Sequence, residues 1–361
     1  MKGKSFLAAL VLAAGFSLMV YSQARATCTP TGFYVDNINM TAAMINPGNV
    51  TGTDIDASGC NIGIYYDDGT DGGPVGGTVS GATVSNANYF GIVANGGGGN
   101  AALVVNVSGS TVENISEMPL NGAQHGNAIF YINGSTDPSA DDSRTCSGVG
   151  STAGTIAGNT VSGYQKNGIT VKCPGVLVSI TGNTVTGAGE TTAIAQNGIE
   201  LGVGALGTIS SNAVSDNEYT GANDASSSGI LVFGGGPYGA LAVKEHVTNN
   251  TLTDNDVGIF SLNCGNADCT GPPKNPTNNI LMSNSLSNEE VSNVSGCGSP
   301  QGYQAGISDL GRNDQISRNS ISGVGYATNQ ITCGASSTAA VFDIDNTGSN
   351  SKVHKNNSLN P

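Results

Sequence analysis

The sequence predicts an all-β fold, one right-handed parallel β-helix of about nine to ten coils, and three observations predict it. First, an aliphatic residue, two small residues, often Asn, one further residue and then Val, Ile or Leu recur along the chain. The pattern reads Ile156-Ala-Gly-Asn159-Thr-Val161, Ile180-Thr-Gly-Asn183-Thr-Val185, Ile209-Ser-Ser-Asn212-Ala-Val214 and Ile316-Ser-Arg-Asn319-Ser-Ile321. Second, a Gly-Ile pair follows each copy, as at Gly168-Ile169, Gly198-Ile199, Gly229-Ile230, Gly258-Ile259 and Gly306-Ile307, with Ala340-Val341 as the last. Third, the Asn-equivalent positions run 53, 82, 110, 159, 183, 212, 250, 284, 319 and 357, about 34 residues apart, and no amphipathic helical period intervenes. A fixed period built of short strands is the mark of a solenoid.

Stacking explains the repeat. One coil cannot bury its apolar face alone, but coils laid ~4.8 Å apart pair every strand in parallel and align Ile and Val into buried columns. Asn at the turn can stack into a hydrogen-bonded ladder. Right-handedness is the rule for parallel connections. A propeller needs long antiparallel strands and carries aromatic signatures, and this chain has no Trp.

Residues 1–26 read as a signal peptide: Lys2 and Lys4, an apolar run from Phe6 to Val20, and Ala24-Arg25-Ala26 before a cleavage point. The apolar run is shorter than the roughly 20 residues of a membrane span. The expected product is exported, secreted or periplasmic, with no membrane span after processing. Residues 27–49 are expected to cap the solenoid and residues 50–361 to form it. Polar loops interrupt the coils at about 132–153, 216–227, 262–278 and 289–304, and such loops usually carry a solenoid's function.

The chain carries 12 Lys and Arg against 26 Asp and Glu. Loss of Lys2, Lys4 and Arg25 with the leader leaves 9 basic residues and a net charge of −17. Nucleic acid and anionic membranes are thereby poor partners. All eight cysteines lie beyond the leader, which suggests disulfides in an oxidising compartment. Neighbour pairing gives Cys28 with Cys60, Cys146 with Cys173, Cys264 with Cys269, and Cys297 with Cys333.

In each Gly-Ile strand Ile points inward and the next residue outward. The outward column then holds Tyr65, Phe130 and Phe260, aromatic platforms that could stack on sugar rings, or be covered by loops. Two further positions on, the inward column ends in Asp309 and Asp343. If Ile307 and Val341 are equivalent, these carboxylates stack about 5 Å apart and must bind a cation, share a proton or escape by a register change. That spacing also suits a retaining glycosidase pair. The opposite register, with Phe342 and Ile344 inward, exposes Asp343. Lys172 faces outward beside Glu200 of the next coil, a second acid–base pair whose bland counterpart is a surface ion pair. Asp67 and Asp71, in Asp67-Asp68-Gly69-Thr70-Asp71-Gly72, resemble the start of a calcium loop, although residue 78 is Thr where a bidentate acid is needed. Calcium is the one candidate cofactor.

These repeats, with Tyr164-Gln-Lys-Asn-Gly-Ile169, Ala195-Gln-Asn-Gly-Ile199 and Tyr303-Gln-Ala-Gly-Ile307, resemble the right-handed parallel β-helix repeat family of the pectin-lyase-like superfamily, in particular its exported bacterial members. The resemblance covers about residues 50–359. It implies the fold, and a polysaccharide or cell-surface glycan as partner. The Asn-Thr-Asp, Gly-His-Gly and Arg-Ile-Lys stretches of polygalacturonase-like members are incomplete here. Two functions follow as expectations. One is a non-catalytic carbohydrate-binding, cell-surface or structural protein, which a uniform Ser, Thr and Asn surface would favour. The alternative is a polysaccharide lyase or glycoside hydrolase, which an acidic cleft with clustered Lys, Asp and Glu would favour.

Overall fold

A computed structural model describes residues 27–359, apart from 69–75, 100, 135–144, 148, 224, 294–301, 328 and 334–336. Residues 1–26, read from the sequence as a signal peptide, and Asp71 and Cys297 lie outside the described residues. The chain forms a parallel β-helix of about ten coils, each giving one strand to each of three sheets. Sheet A has 12 strands, from Thr29–Val35 at one edge to Asn329–Cys333 at the other, the latter antiparallel to Ser337–Asn346. Sheet B has 10, from Val50–Thr51 to Lys352–His354, and sheet C has 10, from Asp54–Asp56 to Asn357–Ser358. The described helices are two single 3-10 turns, Gly236–Tyr238 and Val324–Tyr326. No helix among the described residues is long and apolar enough to cross a membrane.

Three apolar columns fill the interior. In sheet A, Ile169 pairs with Ile199, Ile199 with Ile230 and Ile230 with Ile259, all fully buried. Sheet B contributes Val107, Ile156, Ile180 and Ile209, and sheet C contributes Val161, Val185, Val214 and Leu252, each in register with the next. Burial of each such side chain is worth about 1.5–3 kcal/mol.

The recurrent Asn closes the corner between sheets B and C. The residue before it takes the left-handed conformation, as Gly158, Gly182, Ser211 and Asn249 do. The Asn then accepts and donates along the axis. Asn183 gives its backbone N–H and its Nδ2 to Oδ1 of Asn212, both at 2.9 Å, and a second Nδ2 bond to the Ile156 carbonyl. The same triplet repeats at Asn212, Asn250, Asn284 and Asn319. The last rung is Asn356, not residue 357 as the repeat spacing suggests.

The Gly-Ile pair has a steric cause. A Cβ on Gly198 would sit 2.3 Å from Val214 Cγ1 and 2.7 Å from the Gly229 carbonyl oxygen, so no side chain fits where sheet A approaches sheet C. For the final coil the sequence leaves two registers open, with Val341 or Ile344 in line with Ile307. Ile344, not Val341, pairs with Ile307, while Val341 pairs with Gln304. The slot therefore holds Asp343, and on the far side of its strand runs the antiparallel strand Asn329–Cys333.

The first coil is preceded by an antiparallel hairpin, Thr29–Val35 with Ile38–Ile45, whose second strand joins sheet A beside Ile62–Asp67. Cys28 is bonded to Cys60, Cys146 to Cys173 and Cys264 to Cys269, the three pairings expected; the fourth involves Cys297.

Sheet C presents two outward rows in unbroken register from Thr160 and Ser162 to Ser320 and Ser322. The rungs between are Thr184 and Thr186, Ala213 and Ser215, Thr251 and Thr253, and Ser285 and Ser287. Over the same coils sheet B carries hydroxyl residues early but then His246, Ile280, Met282 and Gln315.

Candidate functional site: two grooves on the outer face of sheet A

Long connections leave sheet A, or return to it, on its outer face, and two grooves lie between them. The first, of about 400 Å³, spans the coils of Phe130, Thr170, Glu200 and Leu231. At its centre Lys172 Nζ is 3.5 Å from Glu200 Oε1, the pairing that strand alternation predicts. It is more than a surface pair, because the Glu200 side chain is only 7 % exposed. Asn167 donates from Nδ2 to Glu200 Oε2 at 3.1 Å, and the Lys172 ammonium stands 5.9 Å from the Phe233 ring centroid.

A second amide ladder runs beside this pair. Ser228 donates to Asn197, Asn197 to Asn167 and Asn167 to Asn127, at 2.6, 2.9 and 2.8 Å. Lys166, in the corner before Asn167, donates to the Ala195 carbonyl at 2.6 Å. Burial pushes its ammonium pKa down; Glu200 opposes that shift and Lys172 adds to it. Tyr238 closes the far side, edge-on to Phe233 at 5.4 Å. The groove thus offers one carboxylate, two amines, a row of amides and an aromatic rim, a set suited to sugar hydroxyls.

The second groove, of about 460 Å³, lies four coils from Phe130 and is walled by the loops at 225–226 and 269–272. Phe260, Tyr303 and Phe342 line up there with centroid spacings of 6.4 and 5.9 Å. Tyr303 donates to Asp345 Oδ2 at 2.5 Å. Burial, then the bond to Asp345, raises its phenol pKa.

The expected platforms divide accordingly. Phe260 is half-buried and borders this groove. Tyr65 is 3 % exposed and Phe130 is 1 % exposed. Phe33 of the N-terminal hairpin packs on Tyr65 and on Phe90, and Phe90 stacks on Phe130. Tyr65 is thus covered by the N-terminal hairpin, whereas Phe130, although almost wholly buried, lines the first groove.

Asp309 and Asp343 do not stack, which corrects the expectation of a paired site. The register shift of the last coil sets Asp309 beside Asn346, and Asp343 falls in the glycine slot. Asp309 is fully buried, and its charged neighbour is Asp314 at the corner before sheet B. Burial, then Asp309, pushes the Asp314 carboxyl up to about 7. Thr277 and the Asn279 N–H donate to Asp314 at 2.5 and 2.8 Å. Asp309 therefore lies buried inside the solenoid beside Asp314 and not opposite Asp343.

Asp67 accepts from Asn46 Nδ2 at 2.7 Å and its N–H returns the bond at 2.9 Å, which ties the first two coils together. Its proposed partner Asp71 lies outside the described residues. Among the described residues no three His, Cys, Asp or Glu side chains gather as a metal site would require. His125 stacks on Tyr89 at 3.8 Å and meets Glu117 at 3.1 Å, a structural role.

Sequence reasoning missed Lys166, Phe233, Tyr238, Tyr303 and Asp314. Lys166 and Tyr303 stand within the quoted Gln-x-Asn-Gly and Tyr-Gln-Ala-Gly segments, but strand alternation fixes directions only after the Ile. Compared with known proteins, the chain matches no family model, no curated protein and no solved structure.

Proposed function

We propose that this is an exported, non-catalytic glycan-binding protein of the pectin-lyase-like kind, and that the Lys172–Glu200 groove is where the glycan lies. The observation that carries this reading is the nearly buried Glu200 carboxylate, flanked by Lys172 and Asn167 and open on one side to an aromatic-rimmed groove. A buried carboxylate with unspent acceptor capacity is a good partner for a sugar hydroxyl. The three disulfides support an oxidising compartment, secreted or periplasmic, and cleavage after Ala26 would deliver the chain there. The acidic net charge favours neutral over polyanionic glycans.

One observation favours the enzymatic alternative. A lysine with a lowered pKa, Lys166, beside a carboxylate is the kind of pair a polysaccharide lyase uses as base. The experiment separates both readings. Titration calorimetry against a panel of neutral and acidic polysaccharides should give binding that Glu200→Gln and Lys172→Ala each weaken by about tenfold, the size of one lost charged hydrogen bond. Unsaturated or shortened products in the same samples would replace binding with cleavage. Absence of both across the panel would remove the proposal.

A further inference from the structure

The outer face of sheet C belongs to neither groove. Over six consecutive coils its two rows hold eleven hydroxyl residues and Ala213, with no charge and no aromatic ring. Every one of these positions is exposed or half-exposed. Among the described residues only Ser215 commits its hydroxyl within the protein, to Asp216 at 2.6 Å. Sheet B is an internal control for composition. Its hydroxyls bond one another, Thr208 to Ser179 and Ser210 to Thr181, and its rows are broken by His246, Ile280 and Met282. A chain merely rich in Ser and Thr would not leave one face unbroken and outward-facing and the other not.

The register fixes the geometry of this face. Hydroxyls repeat ~4.8 Å apart along the axis and ~6.7 Å across it, the separations of stacked strands and of residues i and i+2. Both are close to oxygen repeats on a prism face of hexagonal ice. A neutral array whose hydroxyls, Ser215 apart, have no internal partner holds water in rows that continue such a lattice, whereas charges or long side chains would break them. A crystalline glycan would call for ring-stacking platforms, and this face has none.

We propose that the outer face of sheet C binds ice. The β-branched Thr side chains suit this, since their fixed χ1 holds each hydroxyl in place. The site is independent of the glycan groove on sheet A.

The test compares the full chain with Thr184→Tyr and Thr251→Tyr, both at exposed positions in the middle of the array, and with Thr208→Tyr on sheet B as control. Ice-crystal shape and thermal hysteresis are read in an osmometer, with circular dichroism confirming fold and glycan binding measured on the same samples. The expected result is faceted, slowed crystals with the unaltered chain and the sheet B variant, and loss of both effects in either sheet C variant that retains its fold and its glycan binding. Unshaped crystals with the unaltered chain overturn the proposal, whatever the glycan result. So does shaping that survives in a folded sheet C variant or disappears in the sheet B variant.

Discussion

At the scale of single residues, the solenoid buries several carboxylates, among them Glu218, Glu245, Asp256, Asp309 and Asp314. Glu245 is fully buried and sits in a corner row before sheet B. Its Oε2 accepts from the Gly207 N–H at 2.8 Å, its own N–H reaches Asn279, and Asn279 in turn reaches Asp314. Burial pushes the Glu245 carboxyl up to about 8, although the Gly207 bond opposes the shift. Glu218 rises to about 7 through burial first and neighbouring carboxylates second, and burial raises Asp256 as well. Folding therefore favours the protonated form of each. Between the ordinary carboxylate range near pH 4 and about pH 8 the folded chain holds more protons than the unfolded one, and its stability falls as pH rises. Thermal melting followed by circular dichroism should give a higher Tm at pH 5 than at pH 8.5. Glu245→Gln should flatten that slope; a higher Tm at pH 8.5 than at pH 5 would contradict the protonated assignment.

At the scale of the structural element, each coil corner is held by a side chain that belongs to its neighbour. Asn250 is 1 % exposed and contributes five bonds: Oδ1 accepts twice from Asn212, its N–H and Nδ2 donate to Asn284, and Nδ2 also reaches the Ile209 carbonyl. Asn250→Ala leaves donors of Asn212 and the Ile209 carbonyl unsatisfied in a dry corner, at about 1–3 kcal/mol per group. Urea unfolding should show a loss of about 3 kcal/mol or more, and a loss below about 1 kcal/mol would mean that the ladder is ornamental. This element was legible in the sequence, because Asn recurs at the corners from Asn159 to Asn319 and the glycine before the inward Ile has a steric cause. The Ile columns, three disulfides and the Lys172–Glu200 contact were legible for the same reason: each follows from period, neighbour pairing or alternation alone. The last coil was legible only as a choice of two registers, because Asp343 stands where the other coils have the glycine that marks the register; Ile344, not Val341, takes the place in line with Ile307. The groove rims were not legible, because Phe233, Tyr238 and Tyr303 reach sheet A from connections whose path the repeat does not constrain.

At the scale of the whole molecule, the three faces of the solenoid divide the work. Sheet A carries loops, aromatic rims and the charged groove. Sheet B carries an exposed apolar row, Val104, Leu177 and Leu206, beside bonded hydroxyls. Sheet C carries the uniform hydroxyl array. This division exists only because coils lie in register, so that one position in the repeat becomes one row on the surface. Electron–electron distances between spin labels on sheet C test that stacking most directly. Labels on Thr160 and Thr251 lie three coils apart, ~14 Å along the axis, and labels on Thr160 and Ser285 lie four coils apart, ~19 Å. The measured separation should grow by ~4.8 Å with each added coil, narrowly distributed. Distances that do not increase in equal steps, or that spread broadly, would contradict the stacked solenoid and with it both proposed surfaces.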